Sequence, residues 1–399
     1  MEQWKEYKLG EVAIPVRDRI DTSVLDASSY ISTENMLPDK AGVTLSSGVP
    51  SGKAIQFKEG DILISNIRPY FKKIWRADKV GGCSADIICL RASKEVEPLF
   101  FYYLLSQDMF FNYVMQGAKG TKMPRGDRNQ IMQWPVLLPS KSEQQKIASI
   151  LSALDEKIEV NRRINDNLEL QAHGMFRSWF VDFEPFKDGD FVESELGIIP
   201  KGWRVGTLSD LGEVVGGSTP SKAKPEFFTD NGIAWLTPKD LSISNRKFTS
   251  KGEIDITQEG YESCSTKLMP KGTVLFSSRA PIGYITIAKN DICTNQGFKS
   301  IVPNNAGTTF IYCFLKASTP EIENKATGST FKEASGALMK NLPVIIPEDV
   351  VLDHFEDLMK PVFKQQEIIE DESRRLASLR DTILPRLMSG ELRVNEIEK

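Results

Sequence analysis

The side chains in this sequence best suited to chemistry are cations set among aromatics and glycines, and the chemistry they suit is holding an anion. Arg68, Lys72, Lys73, Arg76 and Lys79 alternate with Tyr70, Phe71 and Trp75 directly after a strand-like run. A second group, Lys119, Lys122, Arg125 and Arg128, lies in and beyond the glycine-rich stretch Gly117-Ala118-Lys119-Gly120-Thr121. In the second half Lys222, Lys224, Lys239, Arg246, Lys247, Lys251 and Arg279 supply positive charge, and Thr327-Gly328-Ser329-Thr330-Phe331-Lys332 is the equivalent loop. Lysine and arginine neutralise phosphates, and together with serine and asparagine they can read base edges. Any one lysine is ordinary solvated surface, and Ser329 and Thr330 are equally residues of ordinary turns. As sets inside repeated domains they point to nucleic acid: Arg68, Lys72, Lys73, Lys119, Lys122 and Arg125 in the first half, and Lys239, Arg279, Ser329, Thr330 and Lys332 in the second.

Other chemistries lack their residues. The only histidines, His173 and His354, fall in predicted helices, which leaves no histidine metal cluster and no histidine-supported nucleophile. Gly216-Gly217-Ser218 is a glycine-rich turn without the lysine of a phosphate loop, and neither a GxGxxG nor a GxSxG pattern occurs. The five cysteines are odd in number and form no CxxC pair, which reads as reduced thiols in a cytoplasmic protein. No run of about 18 apolar residues exists, and Met1-Glu2-Gln3-Trp4-Lys5-Glu6 has no basic-then-apolar signal, so export is not expected. The net charge of −4 conceals an alternation: residues 1–140 carry +2, 141–199 carry −5, 200–347 carry +4 and 348–399 carry −5. Nucleic-acid binding depends on where positive charge sits rather than on its total.

The elements that must position these residues come twice. With 399 residues, 40% of them hydrophobic, the chain is globular and too long for one core. Leu9-Gly10-Glu11-Val12 returns as Leu211-Gly212-Glu213-Val214, and Gly60-Asp61-Ile62-Leu63-Ile64-Ser65 as Gly272-Thr273-Val274-Leu275-Phe276-Ser277, with Arg68 echoed by Arg279. Phe100 to Leu105 is echoed by Phe310 to Leu315, and Pro135-Val136-Leu137-Leu138-Pro139 by Pro343-Val344-Ile345-Ile346-Pro347. After each Pro-x-x-x-Pro strand comes a long helical stretch, the first opened by a capping box at Ser140-x-x-Glu143. Ile147, Leu151, Leu154, Ile158, Leu168 and Met175 form one apolar seam with Asn161 and Asn165 on it; Phe355, Leu358, Val362, Ile369, Leu376, Leu379 and Ile383 form the other, with Gln365. Pro361 predicts a bend or restart in the second helix.

The expected fold is α+β: two duplicated globular domains of mixed α/β character with many short strands, separated by two long helices packed as an antiparallel coiled coil, with pseudo-two-fold symmetry. The boundaries are 1–140 for the first domain, 141–190 for a central helical spacer, 191–347 for the second domain and 348–399 for a C-terminal helical spacer. Helices of about 30 residues would be roughly 45 Å long, against about 34–36 Å for a turn of DNA. Two similar domains of different sequence predict an asymmetric, bipartite target with an unread gap.

In this order, the motifs resemble one family over essentially the whole chain. They are Lys201-Gly202-Trp203 after Ile199-Pro200, Gly60-Asp61-Ile62-Leu63 and its echo, the paired Pro-x-x-x-Pro strands, Glu143-Gln144-Gln145-Lys146-Ile147, Phe176 through Pro185, and Leu384-Pro385-Arg386-Leu387-Met388-Ser389-Gly390-Glu391-Leu392. They are similar to the specificity subunits of type I restriction–modification systems. That resemblance implies two target-recognition domains on double-stranded DNA, each reading one half-site, in a subunit that is not itself a catalyst and holds no cofactor. Two methyltransferase subunits carrying S-adenosylmethionine and methylating adenine N6 would dock on it, and two translocase–nuclease subunits using ATP with Mg can join them. The second helical region departs from the pattern, with Val350-Val351-Leu352-Asp353 in place of the Glu-Gln-Gln start. A stand-alone DNA-binding or scaffold protein would instead bind DNA without partners, and an enzyme would itself bind S-adenosylmethionine or ATP.

Overall fold

The computed structural model describes residues 4–244, 246–279, 281–328 and 332–394. These divide into two compact units, Met1–Ile158 with Arg375–Lys399, and Glu159–Arg374. Among the described residues, no helix is long and apolar enough to cross a membrane.

In the first unit, the strand Lys5–Lys8 pairs antiparallel with Pro135–Leu138, so the two ends of the domain are joined. A helical turn, Leu9–Val12, follows and is capped by Glu11, whose Oε2 accepts the Lys8 N–H at 2.6 Å. The central sheet has the strand order Ala13–Pro15, Ile87–Ala92, Ile62–Ser65, Ile74–Arg76. Ile62, Leu63 and Ile64 are buried because one face of their strand meets the helices Pro98–Leu105 and Asp108–Gln116 while the other meets a second sheet. Asp61, at 1% exposure, is compatible with that core because the Arg91 guanidinium engages both carboxylate oxygens at 2.7 Å.

The second unit repeats the plan. Arg204–Thr207 pairs with Pro343–Ile346, and the sheet runs Gly212–Gly216, Lys299–Pro303, Val274–Phe276, Ile285–Ala288, with an added edge strand, Phe248–Thr249. One helix, Gly307–Lys325, stands where the first domain has two.

Backbone bonds set the true register of the repeat. The Leu9 N–H donates to the Trp134 carbonyl, and the Leu208 N–H to that of Leu342. The first helical turn is therefore matched by Leu208–Leu211, whose Asp210 caps Thr207 as Glu11 caps Lys8. The match of Leu9-Gly10-Glu11-Val12 to Leu211-Gly212-Glu213-Val214 is three residues out of step, since Gly212 already begins a strand. Arg279 likewise stands in the place of Ile67 rather than Arg68, because Ile67 and Arg279 bridge Arg125 and Glu333 respectively.

The long helices are Lys141–Phe180, of 40 residues, and Asp349–Ser389, of 41, each about 60 Å long. Ser140 Oγ accepts the Glu143 N–H at 3.4 Å, and the Glu143 carboxylate meets Arg393. Within each unit, the helix segments run antiparallel. In the first, Ile147 and Leu151 share a core with Leu384 and Leu387, and Asp155 accepts from Arg380 at 2.6 Å. In the second, Asn161 donates to Glu372 at 2.8 Å, and Gln366 donates to the Asn165 carbonyl at 3.3 Å.

Ile147, Leu151, Phe355 and Ile369 are buried, while Leu154, Ile158, Leu168, Val362 and Leu376 are half-buried. Between Phe355 and Ile369 the second seam is displaced by one residue. Leu358 faces outward with Met359 and Phe363 buried beside it, and Gln366, not Gln365, is the buried amide. A straight helix drifts against a strict heptad, so a seven-residue pattern read from sequence loses register with the domain it packs on. Nor does Pro361 interrupt the second helix. Its ring is exposed, and the buried side chains of Phe355, Met359 and Phe363 hold the turns on either side.

Removing that proline should therefore stabilise the fold. Pro361→Ala restores a helical donor and is expected to raise stability by about 1–3 kcal/mol with unchanged helix content, as read by thermal unfolding followed by circular dichroism.

Candidate nucleic-acid interface

In the first domain, two loops are tied into one surface. The chain leaving the strand Ile62–Ser65 passes through Asn66, Ile67 and Arg68, and the glycine-rich loop lies against it. Lys119 and Arg125 exchange backbone hydrogen bonds at 2.9 Å, the Arg68 N–H donates to the Pro124 carbonyl at 2.8 Å, and Gly126 donates to that of Asn66. Gly120 makes the turn with φ +101°, and a Cβ at Gly126 would lie 2.8 Å from Val114 and 3.0 Å from Asn66 Oδ1. Asp127 closes the loop by capping Arg128–Ile131.

Four of the predicted cations meet here. Arg68 is exposed on a left-handed backbone, φ 50°, and Lys122 is exposed near the loop tip. Lys119 lies 3.2 Å from Asp127, and Arg125 lies 3.2 Å from Asp86. Exposed pairs of this kind are worth less than about 1 kcal/mol, so a phosphate can displace the carboxylate.

Lys72 and Lys73 have partners within the domain as well. Lys72 sits 2.9 Å from Asp108, which Lys40 also approaches at 3.1 Å; although burial alone would raise it, these two lysines hold the Asp108 carboxyl below its ordinary value. Lys73 donates to the Thr33 carbonyl at 2.7 Å, and burial, with Arg68 nearby, pulls its pKa down. Both lysines fasten loops within the domain. Their positions in sequence gave no sign of this, because Thr33, Lys40 and Asp108 are distant along the chain.

The second domain holds the same loop pair. Arg279 and Thr327 both bridge Glu333, Ala334 donates to the Ser278 carbonyl at 2.8 Å, and Ser335 caps Gly336–Lys340 as Asp127 caps its counterpart. Lys332 is exposed, and Ser329 and Thr330 lie outside the described residues. The register places Glu333 where the first domain has Arg125. Its carboxylate takes Arg279 at 2.9 Å and Lys299 at 3.6 Å. The frame is constant while the charge at its centre is reversed. This exchange was hidden in the sequence by the one-residue misalignment of Arg68 with Arg279.

Lys239 lies elsewhere, 2.8 Å from Glu253, on the wall of a cleft of about 990 Å³ that also includes Phe228, Trp235, Asn295 and Gln296. The cleft adjoins the loop pair through the backbone, since Gly297, next to the lining residue Gln296, accepts the Ser278 N–H at 2.8 Å. Lys247 is not surface charge at all: it is 7% exposed and bound to the helices.

A duplicated domain with one loop frame and two different charge sets is the architecture of a bipartite reader. The family model for the type I restriction modification DNA specificity domain matches the chain twice, over residues 1–170 and 200–370. The chain belongs to this family, the DNA-specificity subunits of type I restriction–modification systems; these are not catalysts, and the catalytic steps lie in partner subunits. It is 26% identical to the type I restriction enzyme HindI specificity subunit of Haemophilus influenzae, over 98% of this chain and all of that one. It is 41% identical to the MjaIX specificity subunit of Methanocaldococcus jannaschii, over 45% of this chain and 44% of that one. The fold matches the solved S subunit from M. genitalium with a TM-score of 0.56 at 18% identity, covering 97% of this chain and 96% of that one.

The reversed charge gives a direct prediction. Glu333→Ala frees Arg279 and Lys299 and should tighten sequence-independent DNA binding while steepening its salt dependence by about one unit. Arg125→Glu should do the reverse. Both are read from DNA affinity of the assembled complex across a salt series.

Proposed function

We propose that each loop pair is the surface with which its domain meets one half-site, and that this chain directs adenine N6 methylation by two methyltransferase subunits docked on it. What carries the reading is the recurrence of one loop frame in both domains, with Arg68, Lys119, Lys122 and Arg125 on the first and Arg279 and Lys332 on the second. Ser329 and Thr330 belong to the same loop by sequence and are assigned with it, and Lys239 is a separate contact from the cleft wall. Lys72 and Lys73 stay in the assignment as contacts at the edge of this surface, where a phosphate would compete with Asp108 and the Thr33 carbonyl for their ammonium groups.

The partners bring the chemistry: S-adenosylmethionine in the methyltransferase subunits, and ATP with Mg in two translocase–nuclease subunits that join the complex. The helices set the gap between half-sites and supply the acidic docking surfaces, and the complex works in the cytoplasm, where its DNA is.

Three measurements test this. A genome-wide map of N6-methyladenine, in cells with and without this chain, should show an asymmetric bipartite motif that vanishes with the chain; identical maps with all partners assembled would reject the reading. Alanine at Lys122 should weaken binding to all sequences and flatten the salt slope by about one unit, whereas alanine at a base-reading Arg68 should cost about 1–3 kcal/mol and relax one position of the first half-site. Unchanged methylation by a complex carrying Arg68→Ala, Lys122→Ala and Arg125→Ala together would overturn the assignment.

A further inference from the structure

One buried cation joins the second recognition domain to both long helices. The Lys247 ammonium lies 2.7 Å from Glu169 Oε2 on the first helix and 2.7 Å from Gln366 Oε1 on the second. It sits 3.4 Å from the ring centre of Phe363 and 4.3 Å from that of Tyr312, whose hydroxyl donates to Glu169 at 2.9 Å. The backbone is held as well. The Lys247 and Phe248 N–H groups donate to the two oxygens of Glu370, at 3.1 and 3.2 Å, and the Lys247 carbonyl accepts from Ile287 and Thr286. Lys289, at the other end of this edge, reaches Asp371 at 2.7 Å and Glu367 at 3.5 Å.

This arrangement is not explained by stability. A buried ammonium loses its hydration, and replacing a buried ionic cluster with well-packed apolar side chains is often neutral or stabilising. What the cluster supplies is direction, because its donors and acceptors are satisfied in one geometry only. The edge strand Phe248–Thr249 has two residues and, among the described residues, pairs with Ile285–Ala288 alone, so its own ladder fixes little. Among the described residues, the sheet of the first domain ends at Ile74–Arg76 without such a strand.

We propose that Lys247 is the positioning residue that locks the second recognition domain onto the helix pair, and that this lock determines how strictly the complex reads the gap before the second half-site. The inference rests on the bipartite reading given above. Where reacting groups must be held in register, a misplacement of about 1 Å costs on the order of 100-fold in rate, so a looser anchor blurs the distance being read.

The test uses the full chain, assembled with its methyltransferase subunits, and the target found by methylation mapping. Lys247→Met keeps the alkyl chain against Phe363 and removes the charge. The double variant Lys247→Met with Glu169→Gln also avoids an orphaned carboxylate, which keeps the fold intact. Initial methylation rates are compared on duplexes with the natural gap, with a gap one base pair longer or shorter, and with one substitution in the first half-site. The wild type is expected to prefer the natural gap by at least about tenfold and the variants by less than about threefold, with first-half-site discrimination unchanged. An equal gap preference in variants and wild type overturns the proposal, as does a uniform loss of rate on every duplex. A wild-type complex that methylates no bipartite site would instead defeat the underlying reading, and the proposal with it.

Discussion

Each recognition domain depends on one closure, the pairing of its first strand with its last. Lys5 lies opposite Leu138 and Arg204 opposite Ile346, so well over a hundred residues are looped between partners in each domain. The entropy of such a closure rises only with the logarithm of loop length, and the core inside the loop offsets it. The prolines at the ends of the last strands confine it. Pro135 and Pro343 begin the strands, where a missing N–H is tolerated. Pro139 and Pro347 then end them, and the long helices start from fixed points two residues further on.

That closure explains how one frame can serve two readings. The sheet order, the helical turns and the caps recur, so the loops after the strands Ile62–Ser65 and Val274–Phe276 are presented alike. Specificity is then free to change by side-chain exchange on a constant backbone, as at Arg125 and Glu333 or Ile67 and Arg279. Larger differences are confined to the insertions. The first domain builds a second sheet around Lys53–Phe57, whereas the second domain builds the cleft that includes Trp235.

Buried and half-buried polar groups follow the same division. Asp61 with Arg91, Asp155 with Tyr103 and Arg380, and Glu169 with Lys247 and Tyr312 are each satisfied by partners brought from elsewhere in the chain. Burial of Glu169 alone would raise its pKa, but His173, Lys247 and Tyr312 hold it well below the carboxylate range. Such groups contribute little net energy and much geometric definition.

The sequence by itself determined the duplication, the α+β class, the two long helices and the lack of catalytic motifs. Each of these is written in local patterns: the Pro-x-x-x-Pro strands, the Gly-Asp-Ile-Leu run and its echo, the apolar periodicity after Ser140. Tertiary structure alone decided which partner each cation has. Lys72, Lys73 and Lys247 read like Lys122 in sequence, yet three carry structural partners, because Asp108, Thr33 and Glu169 are remote along the chain and near in space. It also decided register. The repeat of Leu-Gly-Glu-Val and the placement of Leu358 and Gln365 were misleading because identity of letters and a strict heptad are one-dimensional measures. Backbone hydrogen bonds and the 3.6-residue helix answer instead to the packing of the whole domain.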